Sequence, residues 1–537
     1  MPNIPSFSVD DGFWYSIPEH LTDLVVIGSI VRVPLSGRRV RGWVCELGQE
    51  REGPLKDIAG VSGAQPVFTP TLLKTLQWAA IHYVAPLSVL LAKATPPNLP
   101  KQTPNPKQTP NPKQKSSPGT EVAEVSCDHP LSEIVTSVAR GARRPSQVIV
   151  GPWQKLEWIT CLSDVVSAGR SAVVIAATAA EVNRIADTAV AQIGDVVVSV
   201  SGDDDASLTR SWERCQQPGR LIIGTPRVST WQVAELGLII VLEEARRAMK
   251  DRHTPTLHVR DVIRSRSLLE GITSVFFGPT PSVEVLASGA QTLSVGMRAW
   301  PLVEVIDRSE EAPGAGQFSE AVLAALRSTG ERGEDSFVLA SYGTVERITG
   351  EIDTRLSNGP GGVGTIAVGT ERDLSGLSPV ALAVATNPDG MLLGRSYRTS
   401  EETLRVLARL GNAVSPGPGH RMMVQTAHPH SDLIQTLRRG DPLPYLERVL
   451  VERAKAGVPP STSMLALELR GDVPEGVADA LIQMDTTTVL GPLEIENGVR
   501  WLLDGDLRQA RRELRPLVSR WREAGTTVRV DADPIDL

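Results

Sequence analysis

The sequence predicts an α/β protein with a β-rich module at its start and a small α+β unit at its end. Three observations carry that class. Five short apolar runs, Gln147–Val150, Ala172–Ala177, Val196–Val200, Leu221–Gly224 and Leu236–Leu242, alternate with helical stretches, the order expected of a parallel sheet. The last run is apolar throughout, as a strand covered on both faces should be, and the carboxylates Glu243 and Glu244 follow it directly. At 537 residues the chain is too long for one core, so several domains are expected.

Composition bounds the function. An apolar content of 41% suits globular structure, and no apolar run approaches the ~18–20 residues that span a bilayer. The first residues lack the charged-then-apolar layout of a signal peptide, so a cytoplasmic protein without membrane partners is expected. A net charge of -7 gives no global attraction to nucleic acid, and any DNA binding must come from local basic patches. Cys45, Cys127, Cys161 and Cys215 are scattered, with no CxxC spacing; four plain thiols in a reducing compartment are expected, and no zinc ribbon.

Residues 1–99 form the first module. Phe13-Trp14-Tyr15 is a dense aromatic cluster. Val31 to Pro34, a turn at Ser36-Gly37, and Arg38 to Val44 read as a β-hairpin with Arg38, Arg39 and Arg41 on one face. Aromatic faces beside arginines suit single-stranded nucleic acid; a small barrel with core aromatics and a solvated arginine edge fits the same residues. Thr69–Pro97 carries an amphipathic helix with Leu72, Leu73 and Leu76 inward, and His82 and Tyr83 read as core. Residues 100–126 hold a KQTPNP repeat, a Pro- and Lys-rich tether.

The stretch Leu236–Arg246 reads LGLIIVLEEAR, followed by Met249-Lys250-Asp251, Pro255 and Leu257-His258-Val259-Arg260-Asp261. It resembles the primosomal protein N′ (PriA) family of replication restart proteins, whose pattern is LGLIIVDEEHD, a YKQ-like segment, a Pro and a YHARD-like box. The resemblance implies two RecA-like superfamily 2 helicase lobes, at 127–298 and 299–431, and a C-terminal domain at 432–537. In such a helicase an Asp and a Glu after this strand hold Mg²⁺ and orient the attacking water. Here Leu242 takes the place of the Asp and Ala245 that of the His.

The other nucleotide motifs depart as well. A phosphate-binding loop needs glycines, then Lys and Ser/Thr. Gly151-Pro152-Trp153-Gln154-Lys155-Leu156-Glu157-Trp158 keeps one glycine, sets Lys155 two places early and puts Glu157 where the lysine belongs. In the second lobe Asn412 and Ser415 stand for the two arginine fingers. The family's zinc insertion is missing, since Ala340 runs directly into Ser341-Tyr342-Gly343-Thr344. The resemblance therefore implies neither of the family's ligands, ATP and zinc, and no catalytic or metal-binding residue is expected. The boxes Gly224-Thr225-Pro226-Arg227 and Gly278 to Glu284 read as retained turn geometry.

The N-terminal module also resembles the family, through Phe13, Tyr15, Pro18, Arg32-Val33-Pro34, Gly37 and Leu55-Lys56. There the family captures a 3′ strand end, using positions equivalent to Phe13, Trp14, Gly37 and Lys56. Trp14 replaces an Asp, and an indole donates or stacks where a carboxylate accepts. The helix Leu507–Ala524, with Arg508, Arg511, Arg512, Arg515, Arg520 and Arg522, is a candidate DNA-backbone surface or a solvated face.

The expected function is a DNA-binding, primosome-assembly platform at stalled or branched forks, cytoplasmic and nucleoid-associated. Its expected partners are forked or single-stranded DNA, the replicative helicase and its loader, and single-stranded DNA-binding protein. A residual 3′→5′ helicase using Glu243, Glu244 and Lys155 is the alternative, and a protein–protein adaptor a third reading.

Overall fold

The computed structural model describes residues 1–48, 53–63, 65–99, 129–202, 204–311, 316–356, 364–394, 396–485 and 487–535. The tether expected at 100–126, and Cys127, lie outside them.

Four sheets organise the chain. The first is antiparallel, with β1 (Ile30–Leu35) between β2 (Arg38–Trp43) and β3 (Gly60–Ser62). The β1–β2 turn is two residues, and both Ser36 (φ 47°) and Gly37 (φ 80°) are left-handed, the geometry that matches strand twist in a tight hairpin. The second sheet is parallel: β4 (Gln147–Val150), β5 (Ser171–Ile175), β6 (Val197–Val200), β7 (Leu221–Gly224), β8 (Leu236–Leu242), β9 (Thr273–Gly278) and β10 (Gln291–Ser294), in the order β10-β4-β9-β8-β5-β7-β6. All five expected strands are present. The two unexpected ones, β9 and β10, lie nearer the β10 edge; β10 is partly exposed, so no apolar run marks it.

The third sheet is parallel, with β11 (Val303–Asp307), β12 (Ser336–Leu339), β13 (Ile366–Gly369), β14 (Leu382–Ala385) and β15 (Arg421–Thr426) in the order β11-β15-β14-β12-β13. β12 passes to the helix Val345–Leu356 through one short turn, closed by the Thr344 N–H donating to the Ser341 carbonyl at 3.0 Å. The fourth sheet is antiparallel: β16 (Ser463–Arg470), β17 (Thr487–Ile495), β18 (Gly498–Gly505) and β19 (Thr527–Ala532), in the order β17-β18-β16-β19. The helix Leu507–Glu523 packs on it through Leu507, Ala510, Leu514 and Val518.

Two expectations are corrected by packing. The boundary at 432 cuts through the second lobe. The helix Asp432–Arg439 buries Leu433, Ile434 and Leu437 with Trp300, Met422 and Val424, and the Trp300 indole donates to the Leu437 carbonyl at 2.9 Å. The last sheet begins only at Ser463. The thiols are not all free either: Cys161 is disulfide-bonded, whereas Cys45 and Cys215 are free.

The N-terminal helix Pro70–His82 packs on the helix Val259–Glu270 of the second sheet's lobe. The Thr75 hydroxyl donates to Glu270 at 3.0 Å, and the His258 backbone N–H donates to the Tyr83 hydroxyl at 3.0 Å. No helix among the described residues is long and apolar enough to cross a membrane.

Candidate nucleic-acid interface

In the first module strand alternation decides which side chains meet. Val31 and Val33 point inward with Val25 and Ile58, against Tyr15 and Ile17. Arg32 therefore points outward. It pairs across the hairpin with Arg41, and Pro34 pairs with Arg39, so Arg32, Arg39 and Arg41 form one exposed row. Arg38 pairs with Leu35 and falls on the other face, in step with Val40. The expected Arg38–Arg39–Arg41 face is thus corrected to Arg32, Arg39 and Arg41. The period of two in Val31-Arg32-Val33 already contained that assignment. None of the three has a carboxylate partner among the described residues.

Phe13, Trp14 and Tyr15 line a cavity of about 740 Å³ bordered by the inward valines. The Tyr15 hydroxyl donates to the Pro34 carbonyl at 3.3 Å, and Trp14 lies over Gly48, where an added Cβ would come within 2.8 Å of the indole. The arginine row thus projects from the hairpin face opposite the aromatic cavity, rather than beside it. Charged residues lining the cavity among those described are Asp10, Asp11 and Glu46, so it accommodates a base or sugar better than a phosphate. Lys56 is exposed on the segment bridged to Ser16, whose N–H donates to the Lys56 carbonyl at 3.0 Å. Gly37 sits at the exposed turn, away from the cavity.

At the end of β8 the side chains are committed elsewhere. Leu242 is buried in one apolar cluster with Trp153, Trp158 and Phe277. Gly151 touches Val295 so closely that a Cβ there would lie 2.6 Å from the valine Cβ; packing alone requires glycine at this position. The Trp158 indole donates to the Trp153 carbonyl at 2.8 Å, and the Trp153 indole lies toward Glu243, outside hydrogen-bond geometry. Lys155 and Glu157 are exposed. Pro152 and these two buried indoles do not fit a triphosphate cradle.

Glu243, held at φ 48°, is ion-paired with Arg409 of the second lobe at 3.0 Å and with Arg246 at 3.3 Å, all three buried. Burial opposes its ionisation, but Arg409 and Arg246 outweigh it and hold its carboxyl below the ordinary range. Arg246 also meets Glu181 at 2.6 Å; Arg405 and Arg409 meet Glu371 at 2.5 and 3.0 Å. Glu244 accepts the Ser282 backbone N–H at 2.8 Å, and burial pushes its carboxyl up. Asn412, expected at this interface, instead donates to the Ala299 carbonyl at 3.1 Å. Arg409, one turn earlier on the same helix, is the one that reaches the first lobe's Glu243, while Arg405, two turns earlier, pairs with Glu371 of its own lobe; neither carries a motif signature.

A second buried cluster centres on Glu284, the end of the Gly278 box. It meets Arg260 and Arg453 at 3.2 Å each, and Arg398 more closely; Arg453 also reaches Glu401 at 2.8 Å. Burial works against Glu284, yet Arg398, Arg260 and Arg453 bring its carboxyl down to about 2. The Tyr397 ring lies 4.9 Å from the Arg398 guanidinium and 4.8 Å from that of Arg453. The box read as retained turn geometry therefore supplies the ion that joins both lobes to the helix Leu443–Ala456.

His82, Asp261 and Asp533 meet where the N-terminal module, first lobe and last sheet converge, with ligand atoms within 4.8 Å of one another. Arg260 occupies both Asp261 oxygens, at 3.0 and 3.3 Å, and Arg511 approaches Asp533 at 3.8 Å. These cations already balance the carboxylates, so the group does not fit a divalent ion. The arginine helix Leu507–Glu523 is corrected likewise: Arg511 is buried, Arg515 is ion-paired with Asp10, and Arg515 and Arg522 lie over Phe7. Arg508, Arg512 and Arg520 are exposed.

The described residues thus form two parallel α/β lobes behind a β-rich N-terminal module. Residues 3–96 match the family model described as 3'DNA-binding domain (3'BD) of PriA. Over nearly its whole length the chain is similar to proteins named replication restart protein PriA. It is 24% identical, over 92% of itself and 90% of the relative, to the "Probable replication restart protein PriA" of Mycobacterium leprae (strain TN). It is 23% identical, over the same shares, to the protein of that name from Mycobacterium tuberculosis (strain ATCC 25618 / H37Rv). Among solved structures, RecG bound to a three-way DNA junction aligns with TM-score 0.38 and 11% identity, over 59% of this chain and 46% of RecG. Escherichia coli HrpB aligns with TM-score 0.34 and 12% identity, over 55% and 42%.

Proposed function

We propose that this chain is a non-catalytic replication-restart platform that binds forked or single-stranded DNA and recruits primosome proteins to arrested forks. The replicative helicase, its loader and single-stranded DNA-binding protein are the partners this reading implies, in the cytoplasm at the nucleoid. One observation carries it: Glu243, which a motor would need free beside its nucleotide, is spent on buried ion pairs with Arg409 and Arg246. The match of residues 3–96 to a DNA-binding domain supports the other half. A bound nucleotide normally bridges two such lobes during turnover; here side chains bridge them, and ATP has no role.

The test is fork binding by fluorescence anisotropy with and without ATP and Mg²⁺, beside a phosphate-release assay. Fork-selective binding that ignores ATP, with no phosphate released, is expected. DNA-stimulated release abolished by Glu244→Gln would replace this reading with a residual 3′→5′ helicase.

A further inference from the structure

The fourth sheet has two unlike faces. Leu465, Leu467 and Leu469 of β16 and Trp501 and Leu503 of β18 turn toward the helix Leu507–Glu523 and share its core. Alternation sends Glu468 of β16, Arg500 and Leu502 of β18, and Arg529 and Asp531 of β19 to the other face. The β19 side of that face docks on the first lobe. Lys250 meets Asp531 at 2.6 Å there and donates to the Ala532 and Asp533 carbonyls at 2.8 Å each. The opposite edge is β17, with no strand beyond it among the described residues.

A bulge in β17 decides what the uncovered half displays. Leu490 stands opposite Leu502, but Leu493 rather than Pro492 stands opposite Arg500, because β17 carries one extra residue between the two pairs. Strict alternation would turn Leu493 toward the helix; the bulge brings it round to the face of Leu490 and Leu502. Gly491 permits this, with φ at 121° and an added Cβ only 2.8 Å from the Arg500 carbonyl oxygen. Leu490 and Leu493 are 52% and 59% exposed, and Leu502 between the strands is half-buried. Single exposed leucines are ordinary, whereas three adjacent on one sheet face, one turned outward by a bulge, mark an interaction surface.

Charge says what covers it. Beside Leu493, Glu468 is the shared anion of Arg500 at 2.6 Å, Arg470 at 3.1 Å and Arg529 at 3.5 Å. Asp531, which Arg529 also approaches at 3.4 Å, is taken by Lys250, and Asp504 lies at the far end, opposite Met464. Positive charge is therefore in excess at the Leu493 end of the leucine row. A second copy packed face to face would bring like arginine clusters together. Residues 101–118 are basic and carry no aliphatic side chain, so the tether does not fit either. Nucleic acid would find arginines but no ring to stack on, since Trp501 is on the helix side.

We propose that this half-face docks an acidic amphipathic helix of a partner protein. Its apolar side chains lie on Leu490, Leu493 and Leu502, and its carboxylates point toward Arg470 and Arg500. Such a helix covers the second face of the sheet as Leu507–Glu523 covers the first, completing the layers that bury a sheet. The surface is apart from the N-terminal module and from the cleft between the lobes, and it does not depend on the fork reading.

The test is fluorescence anisotropy of the full chain with a designed helical peptide that carries leucines at i, i+3, i+4 and i+7 and glutamates between them. The same peptide with lysines in place of the glutamates is the control. The glutamate peptide is expected to bind at least about tenfold tighter than the control, since like charges at an interface are strongly disfavoured. Leu490→Thr/Leu493→Thr is expected to weaken it by about tenfold, the scale of losing one buried leucine side chain. Arg470→Ala is expected to flatten its salt dependence. All three side chains are exposed and threonine suits a strand, so the variants should melt as the parent does. No binding of the glutamate peptide, equal binding of both peptides, or a loss below about threefold in the leucine variant, set against the leucine scale, overturns the proposal. So does a leucine-dependent dimer in sedimentation, which assigns a second copy, or leucine-dependent binding of oligothymidylate without peptide binding, which assigns a strand site. The fork reading stands or falls separately, on fork preference in the unmodified chain.

Discussion

The arginines between the lobes and those on the N-terminal hairpin have opposite fates. Arg398, Arg405, Arg409 and Arg453 are 3–6% exposed, and each meets a glutamate. Arg32, Arg39 and Arg41 stand in water without a carboxylate partner among the described residues. Taking a guanidinium out of water is tolerable only with a partner, so the first set is bound to one lobe arrangement. The second set has given up no hydration and is available to an anionic ligand. Arginine content alone says nothing about DNA; pairing and burial separate the structural arginines from the available ones.

The buried set is most vulnerable at Glu284. Glu284→Ala leaves Arg260, Arg398 and Arg453 without their shared anion, and a loss of about 3–5 kcal/mol in urea unfolding is expected. A loss under about 1 kcal/mol, the scale of an exposed pair, would mean that the cluster does not hold the lobes.

Acid offers a smaller, graded version. Glu284 and Glu371 both sit at about 2, below the ordinary 4.5, because nearby arginines outweigh burial. A depressed carboxylate contributes stability fully above its unfolded pKa and loses it as pH falls through the folded one. The urea midpoint of the parent should therefore fall more steeply between pH 4.5 and 2 than that of Glu284→Gln. Parallel curves would remove Glu284 from the account.

The hairpin should give the smallest stability effect. Arg39→Ala/Arg41→Ala is expected to leave unfolding within about 0.5 kcal/mol of the parent. Fork affinity should fall, and its logarithmic salt slope should shrink by about 2, roughly one for each lost phosphate contact. Unchanged fork binding would favour the protein–protein adaptor.

Much of the architecture was legible. β4 to β8, the hairpin and the direct passage from β12 to its helix follow from apolar runs and turn residues, which act between near neighbours. β10 was not, because an edge strand with exposed residues carries no apolar signature. At the candidate sites, Arg38 and Arg32 changed places through alternation that the residues themselves displayed. Asn412 and Arg409 changed places for another reason: helix phase and lobe packing, not motif spacing, decide which side chain crosses the interface.

By itself the sequence determined the α/β class, the order of its modules and the loss of the phosphate-loop residues, since each depends on local sterics or on which side chains exist. Only the tertiary structure decided which charges are spent. Glu284 finds Arg398 and Arg453 at 114 and 169 residues' distance, and no local rule encodes such meetings. Packing brings those ions together, and in a water-poor interface an unmatched charge is too costly to persist.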